Sequence, residues 1–534
     1  MVKCLEEEGV TRIFGYPGVA ISPFYEALYN AGTIEHVLVR QEQAAGHAAS
    51  GYARISRKAA VCVTSSGPGA TNLITALATA YADSIPLIAI TGQVNSNLLG
   101  RDVFQEADMR GSTESFVKYS YLVKSADDIP RIFKEAFYIA STGRKGPVLI
   151  DIPCDVQIDL LKKSFDYTSE VNIRGYKPST KGNNPQMHKV VAAINKAKKP
   201  LICAGGGVIL GNGEECVRQF CEKNNIPLVT TMMGIGVMPK NHPLYFGMLG
   251  NNGKPYANRA VANSDLLIIA GARIADRAVP KPENLEQQVN IIHIDIDTAE
   301  IGKNLGPTIP LVGDIKSIFD RLLQENISID TSNWIETLQD IKKSTVDHRV
   351  FSDKLVNPML LVQHLSEKMD DDAIYVADVG QNQLWSADNY VMKNGRFLTS
   401  GGMGTMGYSI PAGIGAKMCT PDKQVVVVCG DGSFQMSMYE LATIAVNKVP
   451  IKILVMRNHY LGLVREHQEK TYEEHYFGVQ LYDYPKYAEI AAAYDMDYFH
   501  CDSNETLDAE LDRFLACDNA CIMVCEVDSH NNTK

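Results

Sequence analysis

Short apolar runs alternate with amphipathic stretches along nearly the whole chain. In the first third, β-rich runs at residues 11–14, 36–39, 59–64, 86–91 and 147–152 are each followed by Gly/Pro turns or a helical pattern. The rhythm returns at 199–204, 266–270 and 290–296, and again at 373–378, 424–429, 451–456 and 520–527. Runs that are apolar at every position predict strands buried on both faces, which is the signature of parallel sheets covered by helices. Two polar stretches break the rhythm. Residues 162–186 include the loop-forming Ser179-Thr180-Lys181-Gly182-Asn183-Asn184-Pro185, and 324–353 is charged, with a helix predicted around 334–342. The pattern predicts an α/β protein of three consecutive doubly wound parallel-sheet domains, at 1–161, 187–323 and 354–534.

Length agrees, since 534 residues correspond to about three or four domains. With 45% hydrophobic and 21% charged residues the chain is globular in composition. A net charge of −11 without a Lys/Arg block argues against nucleic acid as a partner. No apolar run approaches the roughly 18 residues needed to span a membrane, and the charged start MVKCLEEEGV is unlike a signal peptide. The expected location is the cytoplasm. Twelve scattered cysteines make a disulfide framework improbable. Cys517, Cys521 and Cys525 lack the tight Cys-x2-Cys pair of a metal site and read as packing around a buried strand.

The strongest chemical motif is in the third block. A Val-rich strand ends in Gly430-Asp431-Gly432-Ser433, and Asn458 follows 27 residues after Asp431. One βαβ crossover, with a helix of about a dozen residues, fits that length and predicts adjacent strand ends. There an Asp carboxylate and an Asn amide oxygen can offer hard ligands to Mg²⁺, while glycines let backbone N–H groups approach a diphosphate. In the first block, Glu42 falls where a strand ends and the small-residue helix Ala44-Ala45-Gly46 begins. It reads either as a first-turn carboxylate favoured by the helix dipole or as a buried carboxyl with a raised pKa. Thr64 to Asn72 forms a glycine-rich strand-to-helix turn. In the second block, Gly205-Gly206-Gly207, Gly271-Ala272-Arg273 and His293-Ile294-Asp295-Ile296-Asp297 each end a strand, a weak dinucleotide signal on their own.

Together these motifs resemble the acetohydroxyacid synthase (acetolactate synthase) large-subunit family of thiamine-diphosphate (ThDP) enzymes. The resemblance runs from Phe14-Gly15-Tyr16-Pro17-Gly18 through Gln41-Glu42-Gln43, Thr91-Gly92-Gln93-Val94 and Phe104-Gln105-Glu106-Ala107-Asp108. It continues in Gly146–Pro153, in Gly401–Tyr408 and in Gly430–Phe434. It implies a pyrimidine-binding domain, a central flavin-binding domain and a diphosphate-binding domain. It also implies an active site shared between two chains of a homodimer or homotetramer, and a small regulatory subunit as a further partner. The implied chemistry is decarboxylation of pyruvate and carboligation to pyruvate or 2-oxobutanoate, in isoleucine and valine biosynthesis.

By the same resemblance, Glu42 shares a proton with N1′ of the cofactor's pyrimidine and Met406 props the cofactor bent. Mg²⁺ falls to Asp431, Asn458 and the Tyr460 carbonyl. ThDP contacts fall to Tyr16, Pro17, Asn72, Val379, Gly380, Gln381, Gly404, Gly430, Gly432 and Ser433. Phe104, Gln105 and His467 border the substrate, with Gln105 also counted as catalytic. A structural FAD would meet Arg144, Gly205, Gly206, Gly207, Thr231, Leu249, Gly250, Gly271, Ala272, Arg273, Arg277, Asp295, Gly313 and Asp314. Several positions depart from the family pattern. Cys154 replaces a Lys, Asn251-Asn252 replaces Met-His, Val19 replaces Gly, Arg457 precedes the metal Asn, and His467 stands where the family has a bulky Trp that helps select the second 2-oxo acid. A flavin oxidoreductase of the pyruvate oxidase kind shares the three-domain plan, but Phe104–Asp108 favours the synthase branch. A paralogue that binds cofactor without catalysis is disfavoured by intact Glu42, Asp431 and Asn458.

Overall fold

In a computed structural model of the chain, residues 1–533 are described except 169, 280–284, 286–288, 307, 350 and 353. The buried runs build three six-stranded sheets. The first contains β1 (Arg12–Gly15), β2 (Glu35–Leu38), β3 (Ala60–Thr64), β4 (Leu87–Gln93), β5 (Tyr119–Leu122) and β6 (Pro147–Pro153). The second contains β7 (Pro200–Ala204), β8 (Leu228–Thr230), β9 (Tyr245–Met248), β10 (Leu266–Ala270), β11 (Asn290–Asp295) and β12 (Ile309–Val312). The third contains β13 (Ile374–Ala377), β14 (Arg396–Leu398), β15 (Val425–Gly430), β16 (Lys452–Arg457), β17 (Asp497–Cys501) and β18 (Cys521–Glu526). Strand pairing is parallel throughout, as expected where every residue of β3, β4, β6, β7 and β10 is buried between helical layers.

The strand orders distinguish the domains. The first sheet runs β2-β1-β3-β4-β6-β5 and the third runs β14-β13-β15-β16-β18-β17, the same order domain for domain. The middle sheet runs β12-β11-β10-β7-β8-β9, which counted within its own domain is the dinucleotide-binding order 3-2-1-4-5-6 read backwards. Six of these strands were not anticipated from the hydrophobic pattern. Five of them, β5, β9, β12, β14 and β17, are sheet edges, and most are half-exposed or exposed at several positions. The sixth, β8, is three residues long.

Both polar stretches pack onto the domains. Tyr167 donates to Glu8 at 2.8 Å and Tyr176 to the Thr142 carbonyl at 2.7 Å, so the first stretch lies against the first domain. Its end is already helical, in Asn184–Lys196. In the second stretch, helix Ser332–Ser344 buries Trp334, whose indole N–H donates to the Pro200 carbonyl at 3.0 Å on the middle domain.

First and third domains meet along two helices, Glu42–Ser56 and Ser409–Cys419, where backbones touch. A β-carbon on Gly51 would fall inside the Ala412 carbonyl, and one on Gly415 inside the Ala48 carbonyl. Beside this crossing, buried Arg54 pairs with Asp83 at 2.6 Å, and Asp83 also accepts the N–H groups of Gly402 at 2.7 Å and Gly401 at 3.2 Å. The middle domain is tied to the first by Arg144 to Glu300 at 2.7 Å and to the third by Arg396 to Glu214 at 2.8 Å. Gly415→Ala is expected to destabilise the chain by at least about 1–3 kcal/mol, because the clash is with backbone and no rotamer relieves it. The measurement is a lowered thermal unfolding midpoint; an unchanged midpoint would show that the helices can separate freely.

Candidate active site

Arg144 precedes β6 and His467 sits within a helix, but in all three sheets most candidate residues lie at strand carboxyl ends, several of them next to the point where strand order reverses. That is where open α/β sheets bind ligands. In the first sheet the reversal lies between β1 and β3. Tyr16, Pro17 and Gly18 follow β1, and Ser65 to Gly69 follow β3; a β-carbon on Gly18 would strike the Ser65 side chain. Glu42 follows the neighbouring β2 and is the first residue of helix Glu42–Ser56, whose start is capped when Gln41 accepts the Ala44 N–H at 3.3 Å. Asn72 Nδ2 donates to Glu42 Oε2 at 2.9 Å, and a β-carbon on Gly69 would stand 3.5 Å from Oε1. Within this chain Glu42 is a half-buried first-turn carboxylate, the first of its two readings. The small residues after it, Ala44, Ala45 and Gly46, are buried by the helix packing instead.

The loop with Phe104 and Gln105 folds over the same edge. Gln93 Nε2 donates to the Ala107 carbonyl at 2.7 Å and to Asp151 at 3.0 Å, tying the loop to the sheet. Burial lifts the Asp151 carboxyl to about 7. Gln105 sits at φ 59°, in the left-handed region, and packs on Gly67 so closely that a β-carbon there would lie 2.8 Å from its own. Phe104 is 87% exposed, an apolar ring left in solvent by this single chain.

In the third sheet the reversal lies between β13 and β15. Val379, Gly380 and Gln381 follow β13, while Gly430 ends β15 and Asp431 follows it. β16 pairs with β15 in parallel, Gly430 opposite Met456, so Asn458 emerges beside Asp431. Asp431 is buried, accepts the His459 N–H at 2.7 Å and the Gly432 N–H at 3.0 Å, and is raised to about 6 by burial. Asn458 Oδ1 accepts the Tyr460 N–H at 3.0 Å, and its Nδ2 donates to Gln381 Oε1 at 2.9 Å. Ser433 accepts the Gly430 N–H at 3.0 Å. The expected single helix after this turn is broken. It runs from Asp431 to Gln435, is followed by the 3₁₀ turn Met438–Glu440, and resumes at Leu441–Asn447.

Asp378 is a residue that motif reading missed. Fully buried, it accepts the N–H groups of Val379 at 2.8 Å, Gly407 at 2.9 Å and Ser409 at 2.8 Å, and the Ser409 hydroxyl at 2.6 Å. Burial pushes its carboxyl up against the pull of these donors. It thereby anchors one end of the loop holding Gly404 and Met406, while Asp83 anchors the other through Gly401 and Gly402. A lone Asp at a strand end carries no distinguishing sequence signal. His467, in helix Gly462–Thr471, is exposed, with its ring edge-to-face against Tyr472 at 5.6 Å.

In the middle domain the reversal lies between β7 and β10. Gly205, Gly206 and Gly207 follow β7, and Gly271, Ala272 and Arg273 follow β10. The two loops rest on each other. Gly207 N–H donates to the Gly271 carbonyl at 2.8 Å, Gly271 is left-handed at φ 56°, and a β-carbon on Gly205 would meet Ala272. Asp295, ending β11, is buried and raised to about 6, chiefly by burial. Its backbone carbonyl accepts the Gly313 N–H at 3.0 Å, and Asp314 caps the next helix through the Ser317 N–H. Thr231 follows β8 and Leu249 follows β9; Gly250 donates its N–H to Asn258 at 2.8 Å. The substituted Asn251 donates its N–H to the Arg277 carbonyl at 2.8 Å, and the Arg277 side chain is exposed. Arg144 is engaged with Glu300 and Asp297.

Comparison with known proteins agrees with this three-part layout. Residues 1–112 match the thiamine pyrophosphate enzyme N-terminal TPP binding domain, 187–322 the central domain, and 378–526 the C-terminal TPP binding domain. A probable acetolactate synthase large subunit from Methanocaldococcus jannaschii is 44% identical, covering 92% of this chain and 85% of its own. The acetolactate synthase large subunit of Lactococcus lactis is 42% identical over 96% of this chain and 89% of its own. That of Corynebacterium glutamicum is 43% identical over 91% and 79%. The chain belongs to the acetolactate synthase large-subunit family of thiamine pyrophosphate enzymes.

The matched domains make ThDP the cofactor, and the donor set at Asp431 would suit a diphosphate held through a metal ion. A buried carboxylate and a buried amide oxygen stand at adjacent strand ends, and among the described residues no Lys or Arg pairs with Asp431. A divalent cation would supply the missing charge. Among the described residues, no helix is long and apolar enough to cross a membrane. Replacing Asp431 by Ala is expected to remove the rise in thermal midpoint that ThDP with Mg²⁺ confers on the native chain. A variant still protected by both would show that Gly430-Asp431-Gly432 is only a turn.

Proposed function

We propose that this chain catalyses acetolactate synthesis, decarboxylating pyruvate and joining the two-carbon unit to a second 2-oxo acid. What carries the reading is that relatives named acetolactate synthase large subunit match about nine-tenths of the chain, on a fold that sets Glu42 with Asn72 and Asp431 with Asn458 at strand ends. The pyruvate-oxidase-like alternative gains no observation of its own.

When bound, ThDP supplies a thiazolium carbon that attacks the keto group and a cationic ring that takes up the electrons left by carbon dioxide. The chain supplies placement and proton handling. Glu42 would hold a proton at N1′ of the pyrimidine, with Asn72 fixing Oε2 and so leaving Oε1 for that exchange. Asp431 and Asn458, with the Tyr460 carbonyl, would hold Mg²⁺ and through it the diphosphate. Met406 would sit under the bent cofactor on its doubly anchored loop. The exposed Phe104 and half-buried Glu42 support a site completed by a second chain, hence a homodimer or a larger assembly. The strand order of the middle domain supports FAD between the Gly205–Gly207 and Gly271–Arg273 loops, although these glycines are also needed for loop-on-loop packing. A small regulatory subunit and a role in branched-chain amino acid synthesis complete the proposal.

Purified chain with ThDP, Mg²⁺ and pyruvate is expected to release carbon dioxide and acetolactate, identified by product analysis. Glu42→Gln should slow this by about 10²–10⁴-fold while ThDP still binds, because the amide cannot exchange the proton. Near-native turnover in that variant would remove Glu42 from its role. His467 offers less apolar surface than a Trp, so competition between pyruvate and 2-oxobutanoate as acceptors should show a weak preference. One methylene in a pocket is worth roughly 10–200-fold. His467→Trp should raise the preference for 2-oxobutanoate by about tenfold; a strong preference in the native chain would mean that Tyr472 or Tyr460 already fills that place.

A further inference from the structure

We propose that Glu440, on the third domain, is a positioning residue for Glu42, gripping the backbone of the turn from which the Glu42 side chain projects. This rests on the reading of Glu42 as the proton-handling carboxyl. Glu440 has no exposed surface. Its Oε1 accepts the Arg40 N–H at 2.8 Å and the Gln41 N–H at 3.2 Å, and its Oε2 accepts the Thr443 hydroxyl at 2.6 Å. The Thr443 hydroxyl also lies 3.4 Å from the Leu38 carbonyl, at the end of β2.

The position of these bonds gives them meaning beyond adhesion. Arg40 and Gln41 are the last two of the three residues between β2 and Glu42. Their N–H groups lie past the last β2 residue and ahead of the helix's own ladder, so neither sheet nor helix supplies them with an acceptor. The domains are already joined by the glycine crossing and by Asp83, so a further clasp is not needed to hold them together. Burying a carboxylate is costly unless its lone pairs are filled, and here they are filled by the peptide groups beside the reactive side chain. Asn72 fixes the Glu42 carboxyl and Glu440 fixes its backbone. A small displacement of a proton-handling group costs rate without costing substrate affinity.

The test uses the full-length chain and the variants Glu440→Gln, Glu42→Gln and the double variant. Glu440→Gln keeps the size and one acceptor but replaces the other oxygen with a donor. Amide hydrogen exchange in the cofactor-free chain should rise about tenfold or more at residues 40–41, while β16 exchanges as before. Turnover with ThDP, Mg²⁺ and pyruvate should fall about tenfold with KM for pyruvate within about twofold. The double variant should be no slower than Glu42→Gln by more than about twofold, since one effect acts through the other. Unchanged exchange at 40–41, or losses that multiply in the double variant, overturns the proposal. Should Glu440→Gln fail to fold, Thr443→Val, which removes one donor to Glu440, should still raise exchange at 40–41, and no rise there overturns it equally. A Glu42→Gln variant at full rate sinks the underlying reading instead, and is told apart because exchange at 40–41 would still respond to Glu440→Gln.

Discussion

Helix Glu42–Ser56 crosses helix Ser409–Cys419 so closely that each sets a glycine against the other's backbone, and the geometry of the candidate site depends on that crossing. Gly51 lies on the Ala412 carbonyl and Gly415 on the Ala48 carbonyl. Glycine in a helix costs roughly 0.5–1 kcal/mol relative to alanine, so two at one crossing are retained for the approach they permit. That approach brings Glu440 within reach of the turn before Glu42, Asp83 within reach of Gly401 and Gly402, and the Thr79 hydroxyl to 2.7 Å from that of Thr405. Larger residues at the crossing would push the helices apart and lengthen these bonds.

Carboxylates then hold backbone in place of secondary structure. The stretch 399–408 has neither a helix nor a strand ladder to fix it, yet it contains Gly404 and Met406. Asp83 takes two of its N–H groups and Asp378 takes the Gly407 and Ser409 groups at its far end. Hydrogen bonds to charged groups contribute about 1.5–3 kcal/mol each, enough to hold a loop whose large apolar burial is confined to Tyr408 at its end. Arg54 neutralises Asp83, whereas Asp378 relies on its donors alone, and burial lifts its carboxyl accordingly.

How much of this was legible in the sequence varied with its physical origin. The central strands were legible because burial on both faces leaves continuous apolar runs; β3, β10 and β15 were anticipated to within a residue or so. Edge strands such as β5 and β17 escaped because one side faces solvent and the pattern weakens to Tyr-Ser-Tyr-Leu or Asp-Tyr-Phe-His-Cys. The Asp431 and Asn458 pair was legible from crossover length. Glu42 was legible as a helix start, but its bond to Asn72 and the grip of Glu440 on Arg40 before it span 30 and 400 residues. Asp378 and Asp83 were invisible for the same reason: their roles lie in which backbone they hold, and no local spacing records that.

Strand order adds the last step. The first and third domains share one order and the middle domain has another, although all three alternate strand and helix in the same way. Hydrophobic periodicity cannot tell these orders apart, because a buried parallel strand reads alike wherever it lies in the sheet. Order nevertheless decides which loops flank the crevice where a ligand can enter. It puts Tyr16 beside the Ser65–Gly69 turn, Gly380 beside Asp431, and Gly205 beside Gly271, so each domain presents one ligand crevice built from loops far apart in sequence. The two crevices of matching architecture lie in the two domains that match TPP binding domains, with Glu42 at the edge of one and Asp431 at the edge of the other. The middle domain's different order puts its crevice between the Gly205–Gly207 and Gly271–Arg273 loops, apart from the two that hold Glu42 and Asp431.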